Sequence, residues 1–334
     1  MKHEDKQYSE IPILANELKG NKDPYPKIIE IHPTDACNYG CEFCFRKQIG
    51  GQNPILSTGD YAALFIEMKS LGINSISISG GGEPFVTRGG YEALALANSN
   101  KLDSRVVTNG SCLNDKIMLE LTKAKEVRFS INAGTADTYA KIMVVHKSYF
   151  EKVLSNISNL ISVRDATDSK LKVGVTFLIQ PLNYTEVVDF VRLAEALHVD
   201  SIVIKQDVYK ERAIDESELE RINGELSRLK VSGLEIRDRM EYDFKGMRCF
   251  VPYFKIALNP SGDVFSCCLG SQPGEENGYK LGNLKSDGSL ANIWKSSHGV
   301  RQGLMTNGVK CKNCNYTDYR INNMMRSQNA SISK

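Results

Sequence analysis

The chain has one tryptophan and five histidines, and it nowhere holds a run of about eighteen apolar residues. That last lack excludes a membrane-spanning helix. Charge of one sign is also missing: Lys+Arg 42 stand against Asp+Glu 40, a net +2, and basic blocks do not occur. Such a balance argues against a dedicated nucleic-acid or membrane-surface role. The first thirty residues (MKHEDKQYSE…) lack the apolar core of a signal peptide, so a cytoplasmic location is the expectation. Cysteine, by contrast, is plentiful, with nine in the chain.

In a reducing compartment, clustered cysteines read as metal ligands rather than disulfides. Cys37, Cys41 and Cys44 form one group, and Cys249, Cys267, Cys268, Cys311 and Cys314 form another, with Cys112 alone between them. The first group is a C-x₃-C-x₂-C run. Three thiolates at that spacing can grip three corners of a cubic iron–sulfur cluster and leave its fourth iron open for chemistry. Zinc is the rival reading, but a closed zinc site needs a fourth ligand, and the nearest candidate, His32, falls in the strand before the run. The run alone leaves both open.

Six short β-branched runs alternate with amphipathic stretches: Lys27–His32, Ser75–Ser79, Arg105–Thr108, Glu126–Ile131, Lys172–Ile179 and Ser201–Lys205. Helical periodicity marks Ser57–Leu71, Tyr149–Arg164 and Thr185–Leu197. Six β/α units in series predict an α/β fold with a parallel sheet, because each helix returns the chain to start the next strand. Six strands are too few for an eight-unit barrel, so a partial (β/α)6 barrel is expected, with chemistry at the carboxyl ends of the strands. The cysteine run follows the first strand directly. The second leads into Gly80-Gly81-Gly82-Glu83-Pro84, whose glycines admit close backbone approach and whose Glu83 offers a carboxylate to an ammonium group. Other strand ends supply Asn109, Ser130, Asn132, Gln180, Asn183, Lys205 and Gln206.

The run Cys37-x₃-Cys41-x₂-Cys44 with Phe43, the loop Gly81-Gly82-Glu83-Pro84 and the six-unit order together resemble the radical SAM superfamily over residues 27 to about 210. The resemblance implies a [4Fe–4S] cluster on the three cysteines, with S-adenosyl-L-methionine on its open iron. It implies that Gly81, Gly82, Glu83 and Pro84 hold the methionine part and that Phe43 lies against adenine. Asn109, Ser130, Asn132 and Gln180 look like further cofactor contacts. One-electron reduction would then yield a 5′-deoxyadenosyl radical that takes hydrogen from substrate, drawing on a donor such as flavodoxin or ferredoxin.

In the second group, Cys249-x₁₂-Gly262-x₄-Cys267 and Cys311-x₂-Cys314 suit a closed four-thiolate site, with Cys268 the rival of Cys267. Tyr253–Cys268 reads as a hairpin turning at Asn-Pro-Ser-Gly-Asp. This segment resembles the twitch domain, the short form of the SPASM extension, which implies one auxiliary [4Fe–4S] cluster acting as electron acceptor or conduit. The expected division is 1–26 as an N-terminal extension, 27–235 as the barrel and 236–334 as the auxiliary domain.

Substrate is less legible. Twitch enzymes act on aminocyclitols and sugars, or close a ring in molybdenum cofactor biosynthesis. That cyclase ends in a double glycine, whereas this sequence ends Asn329-Ala-Ser-Ile-Ser-Lys334. Peptide-modifying relatives often carry an N-terminal peptide-binding domain longer than the 26 residues before the first strand. The expectation is therefore a small polar molecule, a sugar, aminocyclitol or nucleotide-linked sugar, undergoing oxidation, dehydration or epimerisation. His32 and Lys205 are the candidate proton acceptors. A peptide- or protein-modifying enzyme is the alternative, and a non-catalytic zinc-binding protein a remoter one.

Overall fold

The computed structural model describes residues 8–20, 22–44, 56–207, 214–229, 235–239, 248–271, 279–307 and 314–328. Cys311 lies outside them. The described chain forms two compact units. One comprises residues 1–32, 53–77 and 242–334; the other comprises 33–52 and 78–241.

The second unit is built on five strands in the order β3 (Asp103–Thr108), β4 (Glu126–Ser130), β5 (Lys172–Ile179), β6 (Ser201–Gln206) and β7 (Glu235–Arg239), every neighbouring pair parallel. Strand β5 has burial on both faces along most of its length, as a covered parallel sheet requires. Register places Val106 beside Val127, and Phe177 beside Ile204. The helix Ser148–Ala166 buries Phe150, Val153, Ile157, Leu160 and Ile161, one stripe at helical spacing. The helix Val187–Ala196 turns Val187, Phe190, Val191 and Ala194 inward in the same way.

The first unit holds β1 (Ile28–Ile31), β2 (Ser75–Ile78, whose last residue belongs to the other unit), β8 (Lys255–Leu258), β9 (Asp263–Phe265) and β10 (Lys280–Asn283), in the order β10-β9-β8-β1-β2. The expected hairpin is present: β8 and β9 run antiparallel around Asn259, whose Oδ1 accepts the Ser261 and Asp263 N–H groups, with Gly262 at φ +88°. The sequence did not announce that β8 pairs parallel with β1, Ile28 opposite Lys255 and Ile31 opposite Leu258. The helix Thr58–Ser70 begins with a full capping box: Ser57 Oγ accepts Asp60 N–H at 3.2 Å and Asp60 Oδ2 accepts Ser57 N–H at 2.7 Å. Among the described residues no helix is long and apolar enough to cross a membrane.

The α/β class with a parallel sheet and a C-terminal auxiliary region is as the sequence led one to expect. Strand β7, parallel to β6, is a further strand that the sequence pattern did not mark, and helices at Ile11–Lys19, Arg88–Ser99 and Ala136–Met143 join those foreseen.

Candidate functional site

The loop after β2 lies along the backbone that leads into the cysteine run. Gly82 N–H donates to the Thr34 carbonyl at 2.7 Å, and Glu83 N–H to the Ala36 carbonyl at 2.9 Å. Gly81 has φ +74°, where a side chain would strain the backbone. At Gly82 a Cβ would overlap the Ala36 carbonyl carbon and oxygen outright. Glycine is required here because two backbones touch.

Glu83 is 3 % exposed. Its Oε1 accepts the Thr108 hydroxyl at 2.6 Å and Phe85 N–H at 3.2 Å, and its Oε2 accepts Asn109 N–H at 2.7 Å. All three donors are neutral. Burial pushes its carboxyl above the usual range, and the three hydrogen bonds pull back against that. A buried carboxylate without a cationic partner among the described residues suits a ligand that brings its own positive charge. Pro84 opens a short 3₁₀ turn whose Phe85 N–H is the one capped by Glu83.

Asn109 ties this carboxylate to the cysteine run. Its Nδ2 donates to Asn38 Oδ1 at 3.0 Å, its Oδ1 accepts from Ser111 N–H and Oγ, and Asn38 Nδ2 donates to Ser111 Oγ at 2.8 Å. Cys37 is exposed, while Cys41, Phe43 and Cys44 are half-buried, with Cys44 N–H closing a turn on the Cys41 carbonyl at 3.0 Å. Behind the run stands the end of the helix Ala136–Met143, which the sequence had not singled out. Glu42 N–H donates to the Ile142 carbonyl at 2.9 Å, and Cys41 Sγ lies 3.7 Å from Met143 Sδ. The Tyr39 and Tyr139 hydroxyls meet at 3.0 Å. Burial pushes the Tyr39 phenol up to about 12, so the pair is neutral at physiological pH.

The remaining expected contacts divide. Ser130 ends β4, half-buried. Lys205 lies half-buried on β6 opposite Leu178. Gln180 Nε2 donates to Asp207 Oδ2 at 2.7 Å, joining two strand ends. Asn132 sits at φ +58°, and its Oδ1 accepts Leu178 N–H at 2.8 Å. Asn183 is fully buried and gives its amide to the Asn132 and Leu178 carbonyls, while its Oδ1 takes Gln180 N–H. Both asparagines hold backbone in place. His32 is gathered elsewhere, in the other unit: it is 2 % exposed, with Nε2 3.3 Å from Glu30 Oε1.

In that unit several N–H groups point at cysteine sulfur: Asn322 Nδ2 at Cys249 (3.9 Å), Gly270 N–H at Cys267 (3.3 Å) and Asn315 Nδ2 at Cys268 (3.3 Å). Such donors favour the thiolate form that metals bind. Cys267 is held protonated by burial and by the charges of Asp318, Cys268 and Cys249. Burial likewise pushes Cys268 up; Glu30 adds to this and Lys255 opposes it. Crowded thiols that repel one another as thiolates are what a multivalent metal centre would relieve.

Residues 31–194 match the radical SAM superfamily, and residues 249–315 match the iron–sulfur cluster-binding domain termed SPASM. Among curated proteins the chain is 31% identical over 176 residues to a probable GTP 3′,8-cyclase of Saccharolobus islandicus, covering 52% of this chain and 54% of that protein. The match thus spans about half the length of such relatives. A GTP 3′,8-cyclase of Clostridium acetobutylicum is 26% identical over 277 residues, 73% of this chain and 81% of that one. Among solved structures, Streptococcus suis SuiB bound to S-adenosylmethionine superposes with TM-score 0.68 at 17% identity, covering 91% of this chain and 76% of that one. The AdoMet-bound anSMEcpe superposes with TM-score 0.62 at 11% identity, covering 91% and 97%. These last two likenesses are of fold. The radical SAM domain binds a [4Fe–4S] cluster and S-adenosylmethionine, and the SPASM domain binds auxiliary clusters.

Proposed function

Because the chain carries a radical SAM domain followed by a C-terminal iron–sulfur cluster-binding domain, we propose that it is an enzyme that cleaves S-adenosylmethionine reductively and oxidises, dehydrates or epimerises a small polar substrate. When bound, the cluster and S-adenosylmethionine supply a 5′-deoxyadenosyl radical able to break an unactivated C–H bond. Cys37, Cys41 and Cys44 hold that cluster. Glu83 receives the methionine ammonium beside the close-lying Gly81 and Gly82 backbone, and Phe43 covers adenine. The single observation that carries the reading is Glu83, a buried carboxylate met only by neutral donors and fixed through Asn109 to the cysteine run.

In the C-terminal region Cys249, Cys267, Cys311 and Cys314 are the residues that would hold an auxiliary cluster, which would supply a place for an electron leaving substrate. Lys205, at a strand end, is the proton acceptor, and Gln180 with Asp207 binds hydroxyls. His32 is the weaker candidate, since it is buried against Glu30. A sugar, aminocyclitol or nucleotide-linked sugar is the substrate class, and the nucleotide named for the cyclase relatives supports it. A flavodoxin or ferredoxin supplies electrons in the cytoplasm. The boundaries 27–235 and 236–334 stand as the proposed division of labour.

Peptide modification is the second reading, favoured by the superposition on SuiB, also solved with its precursor peptide SuiA. Anaerobically reconstituted protein offered nucleotide-linked sugars, GTP or peptides separates them by release of 5′-deoxyadenosine with substrate conversion. Conversion of peptide alone would sink the small-molecule reading.

A further inference from the structure

Cys37 is tied to Glu83 on both sides. Before it, the Ala36 carbonyl accepts Glu83 N–H at 2.9 Å. After it comes Asn38, an exposed residue whose side chain reaches the segment that follows β3: Asn38 Oδ1 accepts Asn109 Nδ2 at 3.0 Å, and Asn38 Nδ2 donates to Ser111 Oγ at 2.8 Å. Asn109 N–H in turn donates to Glu83 Oε2 at 2.7 Å. The backbone of Glu83 and its carboxylate thus lead to the two residues that flank Cys37. Neither the cysteine spacing nor the glycine loop requires an Asn38 or a Ser111.

The side-chain bonds run in one direction. Asn109 Oδ1 accepts the backbone N–H of Ser111 at 2.9 Å, so that atom is the amide oxygen, and Nδ2 is the group that faces Asn38. The Asn38 atom it meets must then be Oδ1, which leaves Asn38 Nδ2 to donate to Ser111 Oγ. Ser111 has a single hydroxyl proton, and it goes to Asn109 Oδ1 at 2.7 Å. The three side chains close a ring in which each donates to the next. Asn109 is 8 % exposed and Ser111 2 %. Bonds in such a ring reinforce one another where water is excluded, so opening it at one point weakens the rest.

From this ring we infer that Asn38, with Ser111 behind it, is a positioning residue that fixes Cys37 relative to Glu83. The inference rests on the proposed reading of Cys37, Cys41 and Cys44 as cluster ligands and of Glu83 as the ammonium site. Under that reading S-adenosylmethionine is held at two places, the carboxylate and the cluster. Two contacts fixed beforehand bind more tightly than two that must first be brought together, because their ordering is already complete in the folded chain. Asn38 acts through Cys37 and Asn109 rather than on S-adenosylmethionine itself.

Asn38 is exposed, so Asn38→Ala is expected to fold. The full chain is reconstituted anaerobically and kept without reductant, so that binding of labelled S-adenosylmethionine is read by equilibrium dialysis apart from its cleavage. Iron is measured on the same samples. Asn38→Ala is expected to keep its iron and to bind S-adenosylmethionine roughly tenfold more weakly. Ser111→Ala opens the ring without touching the cysteine run, and should weaken binding in the same direction. Glu83→Gln supplies the discriminating arm: with the charge gone, adding Asn38→Ala should weaken binding by no more than about twofold further. Equal losses in the two backgrounds mean that Asn38 does not act with Glu83, and overturn the inference. Full affinity in Asn38→Ala or in Ser111→Ala overturns it as well. Loss of iron from Asn38→Ala reduces the residue to a support for the cluster, which also overturns it. A wild type that takes up no iron, or binds no S-adenosylmethionine, refutes the reading of the site itself, a result distinct from additive losses.

Discussion

Thr108 Oγ1 donates to Glu83 Oε1 at 2.6 Å, fixing a buried carboxylate at the end of the glycine loop. If that carboxylate receives an ammonium, Glu83→Gln removes the charge while keeping the shape. A charge-assisted hydrogen bond is worth about 2 kcal/mol, so the affinity of reconstituted protein for S-adenosylmethionine should fall roughly thirtyfold. Thr108→Val leaves the charge and removes one neutral donor, and should cost only about 1 kcal/mol. Equilibrium dialysis with labelled S-adenosylmethionine measures both; equal effects would argue against a charge-based role.

Gly82→Ala should act on the cluster more than on the fold. The added methyl overlaps the Ala36 carbonyl, so the loop and the segment entering the cysteine run must part. Overpacking of this kind typically costs about 1–3 kcal/mol. Iron per chain is expected to drop toward half, with cleavage of S-adenosylmethionine lost. A variant with full iron and full cleavage would show that the contact does not position the run.

Glu83 also gives a pH signature in the ligand-free protein. Its carboxyl is raised in the folded state, chiefly by burial. Between the ordinary carboxylate range and that raised value, the folded state keeps a proton the unfolded state has lost. Stability therefore falls as pH rises through this window, and the penalty is constant above it. Thermal melts of wild type and Glu83→Gln across acid to neutral pH should show wild type losing ground to the variant as pH rises. A difference that stays flat would contradict the assignment.

Local patterns were legible where local chemistry sets structure. β-branched runs marked β1 to β6 to within about two residues, Ser57 marked a helix start, and Asn-Pro-Ser-Gly-Asp marked the hairpin. Strand β7 was missed because Glu-Ile-Arg-Asp-Arg has one apolar residue and reads as surface. The parallel pairing of β8 with β1 joins residues more than two hundred positions apart, and periodicity says nothing of such partners. The cysteines and Glu83 stood out by residue type, whereas the support from Ile142, Met143 and Tyr139 is ordinary helix sequence. Asn132 and Asn183 stood out because strand ends are polar, and the backbone groups they also satisfy there were not legible in the sequence. Lys255, Glu30 and Asp318 were hidden for the converse reason: charged residues are expected outside, and only packing reveals Lys255 and Asp318 buried beside a half-buried Glu30.

The central claim is that Cys37, Cys41 and Cys44 hold the cluster at which S-adenosylmethionine is cleaved, and that a second cluster sits on the C-terminal cysteines. Anaerobic reconstitution of the triple alanine variant beside wild type, with iron and 5′-deoxyadenosine measured on the same samples, tests it most directly. The expected result is about eight irons per chain in wild type and about four in the variant, with 5′-deoxyadenosine formed by wild type alone. Cleavage retained by the variant, or stoichiometric zinc in place of iron in wild type, would contradict the account.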